Sequence, residues 1–266
     1  METPPKVWGV FLVYGLAAVA ILLASLLAVA VLHAAEPDLA PDELLRGLRG
    51  LIATALASSG ALACTFWLAT RRLTVARLRL VPGRERGQDL VVTIAGVLAL
   101  GQALDSLTVI AGVSERGTMQ AIRQALSGVS GPELFAAVLV IGPIAGTAEE
   151  VFFRGYMQSM LRERWRPAAA VVVTSAAFAL LHVDWVHGTL AFGLGLYLGL
   201  CTELTGSALP AVAGHVVNNV LFTLVTALVG SVPGVQANTV LLIAAAVAFT
   251  GCVTWLVRSL RPPRTS

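Results

Sequence analysis

The chain has 266 residues, 57% of them apolar and only 12% charged, with a mean hydropathy of +0.83. Ordinary soluble domains carry about 25% charged residues, so this composition excludes one and points to an integral membrane protein. The formal net charge of +3 does not mark a nucleic-acid partner, because the basic residues lie in short loops beside apolar runs, where membrane orientation accounts for them.

A helix needs about 20 apolar residues to cross the hydrocarbon. Eight such spans are predicted, near 7–32, 49–70, 89–112, 132–160, 168–186, 188–205, 209–230 and 237–257. The runs are continuous and rich in Leu, Ala and Val. A transmembrane barrel would instead alternate over segments of about 10 residues, and helices satisfy their own backbone in lipid. The first run has no charged side chain and outlasts the h-region of about 7–15 residues in a secretory signal, so it is read as a retained span. Gly- and Pro-rich breaks separate the runs: "VPGRERG" at 81–87, "SGVSGP" at 127–132, "TGSALP" at 205–210 and "GSVPG" at 230–234. Residues 114–130 read as a loop or a short surface helix. At 186–189 the seam is so narrow that spans five and six could be one broken segment. Cys64, Cys201 and Cys252 all fall in apolar runs without a CxxC pair, and are read as packing residues.

Charge orients the bundle. With the N-terminus in the cytoplasm, Lys6, the loop "RRLTVARLRLVPGRER", the turn "RERWRP" and the tail "RSLRPPR" all lie inside, thirteen of the 18 basic residues. Arg46, Arg49, Arg116 and Arg123 lie outside, and Arg154 is within the membrane. That asymmetry fits both termini inside. The fold expected is an all-α polytopic transmembrane bundle in a cell membrane, the bacterial inner membrane. It divides into N-terminal spans with a basic loop (1–131), a core (132–230), and a last span with a basic tail (231–266).

The segment "GTAEEVFFRGY", 146–156, places Glu149, Glu150 and Arg154 in an apolar run. Each charge at the bilayer centre costs about 2.5–3.5 kcal/mol on insertion scales. Arg162 marks the inner end of this span, and 13 residues of helix put Glu149 about 20 Å deeper. Glu150 and Arg154 are spaced i, i+4 in the favourable order for a pair. Glu149 lies about 100° away and is left without a local partner, a placement suited to a general base. A Glu–Arg pair that merely ties helices together would explain Glu150 and Arg154 but not Glu149.

Two histidines lie in other apolar runs: His182 in "FALLHVD" and His215 in "GHVVNN". His33 and His187 read as interfacial. Phe178 and His182 share a helix face, as do His215 and Asn219. Phe178 would pack on the imidazole or on substrate. Glu149 with His182 could hold a water, while His215 and Asn219 would offer two donors to a developing oxyanion. Asn218 points elsewhere. Glycines and alanines in "AFGLGLYLGL" and "TGSALPAVAGH" suit close helix packing. The chemistry indicated is hydrolysis of an acyl bond, most simply a peptide bond.

"EEVFFRG", "FALLH" and "HVVNN" match, in order, the EExxxR, FxxxH and HxxxN motifs. Over roughly 132–225 the chain resembles the CPBP family of CAAX proteases and bacteriocin-processing (Abi) proteins, which includes the type II CAAX prenyl endopeptidase. The resemblance implies an intramembrane glutamic endopeptidase. Glu149 would be the base, His182 would position the water, His215 and Asn219 would form the oxyanion hole, and Glu150 and Arg154 would support them. No cofactor is expected. The alternative is Zn²⁺ held by Glu149, His182 and His215, since a catalytic zinc takes three protein ligands, although no HExxH helix is present. The partners expected are the lipid bilayer and a protein or peptide cut near the membrane: a lipidated chain, a leader, or a C-terminal sorting tail as in the myxosortase branch. Two other readings stand beside this one. The first is a transporter or proton relay, extended through Gln102 and Asp105; the second is a catalytically silent scaffold or immunity protein.

Overall fold

The computed structural model describes residues 6–260. Unbroken apolar runs become long helices, and proline at the first or second helical position opens several of them. The helices are α1 (Val7–Ala35), α2 (Pro41–Arg46), α3 (Leu48–Thr70), α4 (Gly87–Ile110), α5 (Gly117–Leu126), α6 (Gly131–Arg162), α7 (Pro167–Leu180), α8 (Trp185–Thr205), α9 (Leu209–Leu228) and α10 (Val235–Ser259). There is no strand among the described residues. The polar segment 114–130 forms α5, a short amphipathic helix.

Seven of these helices are long and apolar enough to cross a membrane: α1, α3, α4, α6, α8, α9 and α10. The chain is therefore an all-α, multi-pass membrane protein. The predicted fifth span is corrected. In its place is α7, with 14 residues, about 21 Å long at 1.5 Å per residue against a hydrocarbon core of about 30 Å. α7 stops early because Asp184 caps the next helix, its side chain accepting from the backbone N–H of His187. The seam therefore falls at 181–184 and not at 186–189. α7 packs along α8 as a hairpin, so the alternation of the later helices is preserved.

The basic loops meet at one end of the bundle, as the charge pattern requires. Arg77 forms a two-pronged ion pair with Glu163, at 2.7 and 2.9 Å, and Arg79 pairs with Glu203 at 2.7 Å. Arg261 and Arg264 of the predicted basic tail lie outside the described residues.

Lipid supplies no hydrophobic drive between helices, so packing and polar contacts hold them together. α1 turns Val10, Tyr14 and Ala17 inward, and the Tyr14 hydroxyl donates to the Ala177 carbonyl at 3.0 Å. Most of its leucines face outward, where lipid would lie. α4 and α10 pair along their lengths. They are pinned at the end that carries the basic loops by buried Asp89, which accepts from the Ser259 hydroxyl at 2.6 Å.

α6 and α8 are joined by a ladder. Arg154 donates to the Gly195 carbonyl at 3.1 Å, Gln158 to the Gly199 carbonyl at 3.0 Å, and Arg162 to the Glu203 carboxylate at 2.7 Å. The rungs recur every four residues on both helices, so the two run parallel. Glycine makes this approach possible: a Cβ at Gly195 would lie 3.1 Å from Arg154 Nη2, and one at Gly199 would lie 2.9 Å from a Val171 methyl.

Candidate active site

The glutamates sit on a helix that is not uniformly α. Within α6, Val140–Ala145 and Val151–Gln158 are wound as π-helix, with only Gly146–Glu150 between them as α. Such turns are rare and gather at functional sites. Pro143 lies in the first π segment; without an N–H it cannot complete a regular ladder. Two carbonyls within the π segments accept from side chains: Ile141 from Asn219, and Arg154 from the Ser159 hydroxyl.

Glu150 and Arg154 form the expected pair at 2.8 Å, and neither side chain is exposed at all. Arg154 also lies over the Phe178 ring, 5.0 Å from its centroid, a favourable cation–π contact in a desolvated place. The same Glu150 oxygen accepts from His215 Nδ1 at 2.7 Å. An ionised carboxylate only accepts, so Nδ1 carries the proton. Among the described residues Glu150 Oε2 and Arg154 Nε have no hydrogen-bond partner.

Glu149, without a partner on its own helix, meets one on α9. Its Oε2 lies 3.6 Å from His215 Nε2, and the side chain remains 24% exposed. One imidazole is thus held between both glutamates of the motif. Glu150 takes one ring nitrogen and Glu149 faces the other.

His182 lies just beyond α7, in the turn, and not within a span. Its Nδ1 meets the Phe178 carbonyl at 3.0 Å, which makes Nδ1 the donor and leaves Nε2 as the acceptor. Phe178 is the hub of the site: its ring centroid is 4.9 Å from that of His182, 5.9 Å from that of His215 and 5.1 Å from that of Phe153. The next residue, Val183, has φ +60° and is 94% exposed. A β-branched residue in this left-handed region is strained.

His187, read as interfacial, lies on the first turn of α8, and its ring is 4.3 Å from that of His182. The signal was present in "HVDWVH", where Asp184 before an apolar run marks a helix start and puts His187 on the first turn.

The expected pair of free donors is altered as well. Asn219 spends one Nδ2 proton on the Ile141 carbonyl at 3.1 Å and keeps the other. His215 gives its Nδ1 proton to Glu150. Asn218, expected to point away, donates to Asn219 Oδ1 at 3.4 Å. Glu149, His182, His187, His215, Asn218 and Asn219 line a single cavity of about 670 Å³. Gln102 and Asp105 reach its wall, but Gln102 bonds to Ser106 of its own helix at 3.0 Å and Asp105 is ion-paired with Arg123 of α5. Among the described residues no three His, Cys, Asp or Glu side chains are grouped so as to hold a metal ion.

Residues 131–221, from the start of α6 into α9, match the family model described as Type II CAAX prenyl endopeptidase Rce1-like. This segment is thus similar to the CAAX protease family. All three motifs lie within it, and the CAAX protease assignment supports protease activity in a multi-pass membrane protein. No curated protein and no solved structure gives a significant match.

Proposed function

We propose that the protein is an intramembrane endopeptidase that hydrolyses a peptide bond in a membrane-associated protein or peptide precursor, with Glu149 as the general base. One observation carries this reading: His215 is held between Glu149 and Glu150 on the wall of a deep cavity. A pair that served only to tie helices would need Glu150 and Arg154 alone. Here a second carboxylate is left partly open to the cavity, opposite an imidazole whose orientation the first carboxylate fixes.

Each residue then has one task. Glu149 takes a proton from a water that His182 Nε2 helps to hold. The water oxygen bonds to the scissile carbonyl carbon. The negative charge that develops on the carbonyl oxygen faces the Nε2 proton of His215, held as an imidazolium while Glu150 takes Nδ1, and the remaining Nδ2 proton of Asn219. Preorganised donors of this kind contribute most where water is excluded. Glu149 then passes its proton to the departing nitrogen as the C–N bond breaks, giving a carboxylic acid, which then loses its proton to solvent, and an amine. Arg154 offsets the charge of Glu150, and Phe178 holds both imidazoles by edge contacts.

The reaction proposed uses no metal. A zinc held by Glu149, His182 and His215 would have to compete with Glu150 for His215 Nδ1 or enter between Glu149 and Nε2. Treatment of the purified protein with a chelator should leave cleavage intact. Loss of cleavage, restored by Zn²⁺, would establish the metal alternative. The test of the whole reading compares host membranes carrying the wild type, Glu149→Ala and His215→Ala, with protein termini mapped in each. A precursor that accumulates uncut in both variants, with each variant still folded, is the expected result. Identical termini in all three would overturn the proposal.

A further inference from the structure

We propose that the substrate reaches this site from the non-cytoplasmic face of the membrane, beneath α5; the inference rests on the endopeptidase reading. The cavity is one-sided. From His215 its wall follows α9 through Phe222 and Thr226 to Ser231, and on the other side it rises through Asp105 to Arg123. None of the residues 71–86, 163–166 or 206–208, the loops at the opposite end, contributes to it.

That opposite end is closed. Phe152, Phe153 and Met157 are at most 1% exposed and pack with Leu78 of the basic loop. Below them run the α6–α8 ladder and the pairing of Glu203 with both Arg79 and Arg162. The loop backbone is sewn to the end of α8 as well, with Arg84 N–H donating to the Thr205 carbonyl and Ala208 N–H to the Arg79 carbonyl, each at 2.8 Å. A polypeptide arriving there would have to break all of these contacts.

Charge says which face is which. The closed end carries the Arg-rich loops, and short loops rich in Lys and Arg stay in the cytoplasm. The open end is therefore the non-cytoplasmic one. Its cover, α5, turns Met119 and Leu126 inward and is tethered by the Arg123–Asp105 ion pair and by Thr118 against His187 at 3.4 Å. The cavity wall is mostly apolar, with Glu115, Arg123 and Ser231 near the mouth. The substrate that fits is the membrane-proximal stretch of an anchored polypeptide already on the non-cytoplasmic side. Its apolar side chains would enter while its soluble part remains outside.

The test is thiol accessibility, which does not depend on catalysis. Cys64 and Cys252 are replaced by Ala, and Cys201, 1% exposed, is kept as the background. Thr226→Cys, on the cavity wall, and Arg166→Cys, in the closed-end turn, are then treated with a membrane-impermeant maleimide in intact spheroplasts and in inverted vesicles. Thr226→Cys should be labelled in spheroplasts and not in inverted vesicles, with Arg166→Cys showing the reverse. Labelling of Thr226→Cys only in inverted vesicles, in both preparations or in neither would overturn the proposal. If labelling is as expected but Glu149→Ala changes no protein terminus, the route stands and the endopeptidase reading fails. The opposite combination leaves the enzyme and removes the route.

Discussion

The two halves of α6 use polar residues in opposite ways. Toward the end with the Arg-rich loops, Gln158 and Arg162 each meet a partner on α8, and Glu203 collects three donors from Arg79, Gln158 and Arg162. Toward the other end, Glu149, His215 and Asn219 each keep one face turned to a cavity. A buried polar group that serves structure is paired wherever a partner can reach, because leaving it unsatisfied costs about 1–3 kcal/mol; in this half Gln158 Oε1 alone lacks a partner among the described residues. A group that serves chemistry must stay partly open to receive substrate. Arg154 and Glu150 sit at the boundary, fully buried and paired, yet each with one unpartnered atom.

The largest expected effect breaks the open half alone. Glu149→Gln keeps the volume and removes the base. General acid–base catalysis contributes about 10²–10⁴-fold, so cleavage of the accumulating precursor should slow by about that factor. Thermal unfolding in detergent should scarcely move, because Glu149 is partly exposed and makes no buried ion pair with Arg154. A rate within a few-fold of wild type would mean that the open carboxylate is not the base.

Arg154→Met strikes the boundary. It leaves the Glu150 carboxylate buried with only His215 as partner. Removing one member of a buried pair costs about 3–5 kcal/mol, so unfolding in denaturant should shift by about that much. Unchanged stability would show that His215 alone can carry the Glu150 charge, and the boundary would then belong to the chemistry and not to the frame.

How much of this was legible depends on the distance over which each feature is encoded. The long helices follow from uninterrupted apolar runs, and the Glu150–Arg154 pair from a spacing of four. The three motifs could be read because each is local. The bridging of His215 between both glutamates joins residues 65 apart on different helices, and no periodicity carries such a contact. The π segments were hidden for a related reason: Pro143 announces a defect in the helix, but which extra turns absorb it depends on partners such as Asn219. α7 was read too long because "HVDWVH" is apolar enough to continue a span, and the capping by Asp184 that ends it was given too little weight. Glu203 went unremarked because its partners lie on α6 and in a distant loop.

A smaller effect tests the saturated half. Gly199→Ala would place a methyl 2.9 Å from Val171 Cγ1 and 3.0 Å from Gln158 Oε1. Overpacking of this kind costs about 1–3 kcal/mol. Stability should fall by that amount, while the cleavage rate of the protein that remains folded stays near wild type, because the rung at Gly199 lies below the cavity. A selective loss of rate with stability unchanged would mean that the ladder tunes the site, and the division between the two halves would fail.

The smallest effect is expected at Val183, and its sign is the informative part. Its left-handed backbone costs about 1–2 kcal/mol for a non-glycine residue, and its side chain, 94% exposed, makes no packing contact that offsets this. Glycine would remove the strain but return about 0.5–1 kcal/mol through the greater freedom of the unfolded chain. Val183→Gly should therefore stabilise the protein by at most about 1.5 kcal/mol by that difference. The turn it relaxes holds His182 on one side and Asp184, the cap of α8, on the other. If the strain serves to hold His182 against Phe178, cleavage should fall while the unfolding temperature rises. A rise in both would show that the turn is strained for no catalytic purpose and that Phe178 alone positions the imidazole.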